Sequence, residues 1–347
     1  MKRLLRGVQL LEGPGVPLQR TSALLEGQSL LAWGEAAEAG VDGATQCSDA
    51  PPAALLAPVL VDPHSHLLDP FSGRADTLES LAAEAAAAGY GTVALLAEAS
   101  EWRDRPEALQ LRWSEPLQLL LWGAISSAGS GSHLAPLADL HQAGAVGFCD
   151  GESIPPLALL ERVLLLGDAD DLPLLVAPRD PSLAQSGLVR EGVDTLRLGW
   201  PPEPLSSELM PLQSLLALAS RAPQLRLLNL STAQAVEQLR QHPVRPKASV
   251  CWWHLLQDHS TLDPWPLAGR SPRCWAQPAI GLPCAPACAT GWCRRSRSTT
   301  ARSIGKSRCC RWISAGLVWL GISRCCRRCG RRWWLVMAGS PASSGKP

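Results

Sequence analysis

The pattern of apolar and polar positions changes style near residue 55. Residues 1–57 are β-rich and punctuated by turns. The apolar run Leu4 to Leu11 ends at Glu12-Gly13-Pro14-Gly15, and Ser22 to Gly34 reads as a hairpin turning at Glu26-Gly27. Glu35 to Ala53 is rich in Ala, Gly and Asp and is expected to be a loop. From Leu55 onward, short apolar runs alternate with longer Leu- and Ala-rich segments. The predicted strands are Leu55–Val61, Thr92–Ala97, Leu117–Ile125, Ala145–Phe148, Leu174–Ala177, Thr195–Gly199, Leu225–Leu230 and Ala248–Trp253. Predicted helices between them include Thr77–Ala88, Leu157–Leu166, Leu212–Ser220 and Ala233–Gln241. Thr77, followed by Ser80 and Glu84, marks a helix start. Alternating β and α elements imply a parallel sheet, either a barrel or a doubly wound sheet. No strand leads into a Gly-rich phosphate loop, which weakens a nucleotide-binding reading.

Charge divides the chain more sharply than hydropathy does. All 31 acidic residues lie before Pro264, with 17 basic ones, giving a net charge of −14. Pro264 to Pro347 carries 15 basic residues, no acid, nine of the twelve Cys and seven of the fourteen Trp. An acidic body argues against a nucleic-acid surface there. Its three Cys, at 47, 149 and 251, form no disulfide framework and suggest a reducing, cytoplasmic setting. Met1 to Gly7 is basic but is followed by no sustained apolar run before Glu12, so no signal peptide is expected. The tail run Trp312 to Ile322 is too short to span a bilayer, so no membrane partner is expected.

The motif with most chemistry is Val61-Asp62-Pro63-His64-Ser65-His66, where an apolar strand ends. Strand side chains alternate between faces, so His64 and His66 should point the same way. In a barrel that way is inward, at the C-terminal rim where active sites lie. Two imidazoles there can hold one divalent metal, with Asp62 behind them as an acceptor. Two surface histidines in a loop are the bland alternative. Trp252-Trp253-His254 could line a pocket, or could be a core aromatic pair with a satisfied histidine. Cys149 beside Asp150 reads as an inert buried thiol.

These blocks together resemble the dihydroorotases, cyclic amidohydrolases of the metal-dependent amidohydrolase superfamily. The resemblance runs from about residue 2 to about residue 267. It is carried by the run from Leu55 to His66, Glu79-Ser80 to Thr92, Gly144 to Gly151, Asp180-Pro181-Ser182-Leu183, Leu230-Ser231-Thr232-Ala233 and Cys251 to Leu255, in that order. It implies an α/β fold: a (β/α)8 TIM-type barrel at 55–267, C-terminally incomplete, after a small N-terminal β domain at 1–54. Residues 268–347 are expected to be an aberrant, disordered tail. It implies zinc, with His64, His66 and Asp150 as metal ligands for one site and too few ligands for a second. Asn229, where the family has another His, and His254 become candidates for substrate binding. The implied substrate is dihydroorotate or N-carbamoyl-aspartate in pyrimidine biosynthesis.

Several family positions are lost. Ala177 and Pro178 stand where a metal-binding His is expected, and Leu68 where an Arg would hold the substrate carboxylate. The Asn of the turn after the second strand is absent from Ala97-Glu98-Ala99-Ser100. The general-base Asp should follow residue 264, where no Asp occurs. An impaired hydrolase is one expectation. A catalytically inactive homologue acting as a structural partner of aspartate carbamoyltransferase is the other. The tail has three readings. Cys326-Arg327-Arg328-Cys329 is a bare C-x-x-C without a second knuckle. An Arg/Trp nucleic-acid arm has charge but no fold signature. The favoured reading is a GC-rich gene translated out of frame from near codon 267.

Overall fold

A computed structural model describes residues 1–12, 16–27, 29–51, 54–67, 77–99, 101–111, 117–167 and 172–250, together with three strand segments beyond them. The first unit is a mixed sheet built around β1 (Lys2–Leu10). It pairs antiparallel with β2 (Gln19–Glu26), which turns at Gly27 (φ 57°) into β3 (Ser29–Trp33). A register shift between Leu5 and Val8, at Gly7 (φ 78°), changes which side chains face which side. Leu5, Val8 and Leu10 pack with Leu25, Leu30 and Leu56, whereas Leu4 joins Leu24 and Ala37 on the other face.

That second face explains a departure from the expected loop at 35–53. Helix α1 (Glu35–Ala39) buries Ala37 against it, and β4 (Gln46–Asp49) runs parallel to β1. β5 (Leu55–Pro58) also pairs with β1, so it completes the small sheet rather than beginning the barrel.

The barrel begins with β6 (Leu60–Ser65). Helix α2 (Leu78–Ala87) is capped by the Thr77 side chain, which accepts the Ser80 amide. Then follow β7 (Tyr90–Leu95), β8 (Gln118–Leu121), α3 (Leu137–Gln142), α4 (Leu157–Leu166) and β9 (Leu174–Val176). An excursion comes next: α5 (Pro181–Ala184), β10 (Val189–Arg190), α6 (Val193–Leu198) and β11 (Pro202–Glu203). The chain returns through α7 (Ser206–Leu218), β12 (Leu225–Leu230), α8 (Ala233–Gln241) and β13 (Lys247–Val250).

Parallel pairing runs from β6 to β7 to β8, then through Phe148, which bridges Gly123 and Leu174, and on through β9, β12 and β13. Predicted strand Thr195–Gly199 is instead helical in α6. The Thr195 hydroxyl donates back to the Arg190 carbonyl, and Gly199 ends the helix in a left-handed conformation.

Strand alternation divides the barrel into two apolar layers. Val93, Leu95, Leu174, Val176, Leu225 and Leu227 face the helices, where Leu81, Leu160, Leu212 and Val236 pack. Ala94, Leu96, Leu175, Ala177 and Leu228 form the inner cluster with Trp122 and Cys149.

Beyond residue 250 the described segments are β14 (Cys293–Arg295), parallel to β13, and the antiparallel pair β15 (Leu317–Leu320) and β16 (Trp333–Ala338). β16 adds to β5, so part of the tail extends the small sheet. β14 occupies the position after β13 that was expected to be missing. Among the described residues no ladder joins β14 to β6. No helix among them is long and apolar enough to cross a membrane.

Candidate active site at the strand ends

The C-terminal end of β6 carries the histidine motif. A register shift falls between Asp62 and Ser65, inside the motif itself. Period-two alternation therefore does not by itself orient His64 and His66, and the surrounding contacts do. Both are buried, at 9% and 7% exposure. The His64 backbone N–H donates to Asp62 Oδ1 at 3.2 Å, so Asp62 shapes the bend in the chain. Trp122 Nε1 donates to the Pro63 carbonyl at 2.9 Å, and its ring lies 5.8 Å from that of His64, tilted by 52°.

His66 sits between two carboxylates. Its Nε2 is 3.3 Å from Glu152 Oε1, and its Nδ1 is 4.0 Å from Glu98 Oε2. Glu98 follows β7 and Glu152 follows Phe148, so two strand ends on either side of β8 deliver the pair. Gly151 makes this approach possible. Its φ is +77°, and a Cβ there would lie 2.9 Å from Glu98 Oε2.

Asp150 is committed elsewhere. Oδ1 accepts the Ile125 amide at 2.8 Å and the Ser126 amide at 3.0 Å, and Oδ2 accepts the Ser126 hydroxyl at 2.6 Å. These fill three of a carboxylate's roughly four acceptor positions. Burial pushes the Asp150 carboxyl above its ordinary value, against the pull of those donors. Ser126 Oγ also accepts the Gly131 amide at 2.8 Å, so Asp150 anchors the whole turn after β8. Cys149 beside it is fully buried, and burial pushes its thiol up to about 12. That state is inert.

Asn229 lies buried near the end of β12 with a left-handed φ of 56°, where the register against β13 shifts between Leu227 and Leu230. Its backbone N–H donates to Ser249 Oγ at 3.0 Å. His254, like Leu68 and Ser100, lies outside the described residues. Where a metal-binding His was expected after β9, the chain continues to Arg179, whose guanidinium makes a two-point pair with Glu203.

A catalytic zinc needs three protein ligands and an open position. Among the described residues no three His, Cys, Asp or Glu side chains are grouped to hold a metal ion. Of the donor set drawn from the sequence, the one carboxylate, Asp150, serves the turn at 125–126. The neighbours of His66 that sequence reasoning missed are Glu98 and Glu152. The run Asp150-Gly151-Glu152 was visible as a signal, but only the fold brings Glu98 to it.

No protein-family model matches the chain. By sequence it is similar to a probable dihydroorotase-like protein of Synechocystis, 32% identical over 240 residues, or 60% of this chain and 54% of that one. It is also similar to a dihydroorotase of Lactococcus lactis, 28% identical over 193 residues, covering 54% of this chain and 45% of the relative. The chain thus spans about half the length of the curated relatives it matches. In fold it is similar to L-hydantoinase (dihydropyrimidinase) of Arthrobacter aurescens, with a TM-score of 0.66 and 16% identity over 92% of this chain and 74% of that one. A D-hydantoinase of a Bacillus species follows at TM-score 0.61 and 16% identity, covering 85% and 68%.

Proposed function

We propose that this relative of the dihydroorotases is a cyclic amidohydrolase by descent, acting on a ring C–N bond of the dihydroorotate type, and that its catalysis is impaired. The observation that carries the reading is the buried His64-Ser65-His66 motif at the mouth end of the first barrel strand, with Glu98 and Glu152 against His66. Hydrolysing a cyclic amide requires an activated water and stabilisation of the developing oxyanion. The imidazoles and the two carboxylates are described groups at the mouth that can accept or donate a proton. The impairment follows from the losses: no general-base Asp after residue 264, Leu68 in place of the clamp, and Asp150 committed to its own turn. General acid–base catalysis alone is worth roughly 10²–10⁴-fold. The setting we assign is cytoplasmic pyrimidine synthesis.

The commitment of Asp150 also favours a second reading, an inactive homologue that serves as a structural partner of aspartate carbamoyltransferase. Zinc content and dihydroorotate hydrolysis separate the two. Slow hydrolysis that disappears in His64→Ala supports the impaired enzyme. Absence of both turnover and bound zinc in the intact chain rejects it in favour of the partner role.

A further inference from the structure

The largest fully buried side chain among the described residues is a charged one, and it is not at the histidine motif. Arg190, in β10, is 1% exposed, and Glu208, in the first turn of α7, is 2% exposed. Arg190 Nη2 donates to Glu208 Oε2 at 2.8 Å. The rest of the guanidinium is also engaged. Nη1 donates to Ser207 Oγ at 2.8 Å and to the Pro204 carbonyl at 3.1 Å and lies 3.3 Å from Oε1 of a second buried carboxylate, Glu203, and Nε and Nη2 donate to Ser231 Oγ at 3.1 and 2.7 Å.

The Glu208 carboxylate lies in the turn that joins β12 to α8. Oε1 accepts the Thr232 amide at 3.0 Å and the Thr232 hydroxyl at 2.8 Å. The Ser231 amide lies 3.1 Å from Oε1 and 3.0 Å from Oε2, and Oε2 also accepts the Ser231 hydroxyl. Thr232 is the N-cap of α8, its Oγ1 accepting the Ala235 amide at 3.2 Å. Two amides, two hydroxyls and a buried guanidinium thus converge on one carboxylate before a nine-residue helix. That donor set has the chemistry of an anion site. Its occupant belongs to the chain.

We propose that the β12–α8 turn is an anion-binding site whose resident ligand is Glu208, and that it accepts a small free carboxylate when that side chain is removed. Glu208 is then a positioning residue. It fixes Ser231 and Thr232, and through them the left-handed Asn229 three residues before the cap. Because the resident carboxylate uses these donors, no substrate anion docks on the start of α8 in the intact chain. This inference is independent of the hydrolase reading, since its test measures no turnover.

The test is anion rescue of Glu208→Ala in the full chain, followed by thermal unfolding in sodium formate and in sodium chloride at matched ionic strength. Formate should raise the midpoint of the variant toward that of the parent, chloride should not, and the parent should respond to neither. Adding Arg190→Met should abolish the rescue. An equal response of parent and variant to formate, or none in the variant, overturns the proposal. If Glu208→Ala does not fold, hydrogen exchange in Glu208→Gln decides. The Ser231 and Thr232 amides should exchange at least about tenfold faster, the scale of losing one charge-assisted hydrogen bond, while Leu225 to Leu227 stay protected. Unchanged exchange, or a uniform rise along β12, overturns it.

Discussion

Two buried groups at the residue scale show how environment, rather than residue type, sets chemistry. Cys149 is enclosed in the inner barrel layer, where its Sγ accepts the Ala97 amide, whereas Cys47 is exposed on β4. Peptide mapping after brief alkylation of the native protein should therefore find Cys47 modified and Cys149 intact, with Cys149 reacting only in denaturant. Glu203 carries the other lesson. Burial pushes its carboxyl up, but the Arg179 and Arg190 guanidiniums and the Ser207 hydroxyl outweigh burial and hold it below its ordinary 4.5. A carboxyl depressed on folding adds stability that is complete above its unfolded value and lost as pH falls through the folded one. Glu203→Gln should flatten the fall in stability below about pH 4.5, as read from urea midpoints across pH. An unchanged slope would show that this pair does not govern acid unfolding. The His64-x-His66 motif was legible in the sequence because both residues sit in one six-residue block. Glu98 and Glu152 were not, because they are 54 positions apart and only the folding of strands β7 to β9 around a common end brings both to His66.

Elements that carry their own start and stop signals matched expectation. Helices α4 and α8 occupy the residues that their pattern marked, and α2 differs by one residue at each end. Thr77→Ala removes the α2 cap and should lower stability by about 1 kcal/mol in urea unfolding. Close packing between elements follows a different logic. A Cβ on Gly147 would meet Trp122 Cζ3 at 2.2 Å and the Pro173 carbonyl oxygen at 2.7 Å. The obstacle includes backbone, so Gly147→Ala should cost at least about 2 kcal/mol, with a matching loss in thermal midpoint. Thr195–Gly199 misled because a five-residue run with Leu at alternate positions, 196 and 198, is too short to tell strand from helix. Contacts with the Arg190 carbonyl and the left-handed Gly199 decided it.

Across the whole molecule, the abrupt loss of acids after Asp263 remains the strongest statement about history. The out-of-frame proposal predicts that a one-base shift near codon 267 of the coding DNA restores an acid-containing barrel ending. If no shift does so, the tail is native and the proposal fails. A frame-corrected chain should hydrolyse dihydroorotate faster than this one in side-by-side assays. The alternation of strand and helix that makes a parallel sheet, and the paired histidines, were determined by the sequence alone, since each depends on neighbours within a few positions. Only the tertiary structure decided that Asp150 braces a turn, that two distant glutamates flank His66, and that Glu208 fills the start of α8. Those assignments depend on which strand ends meet, and a buried polar group takes whatever donors the fold brings within about 3 Å.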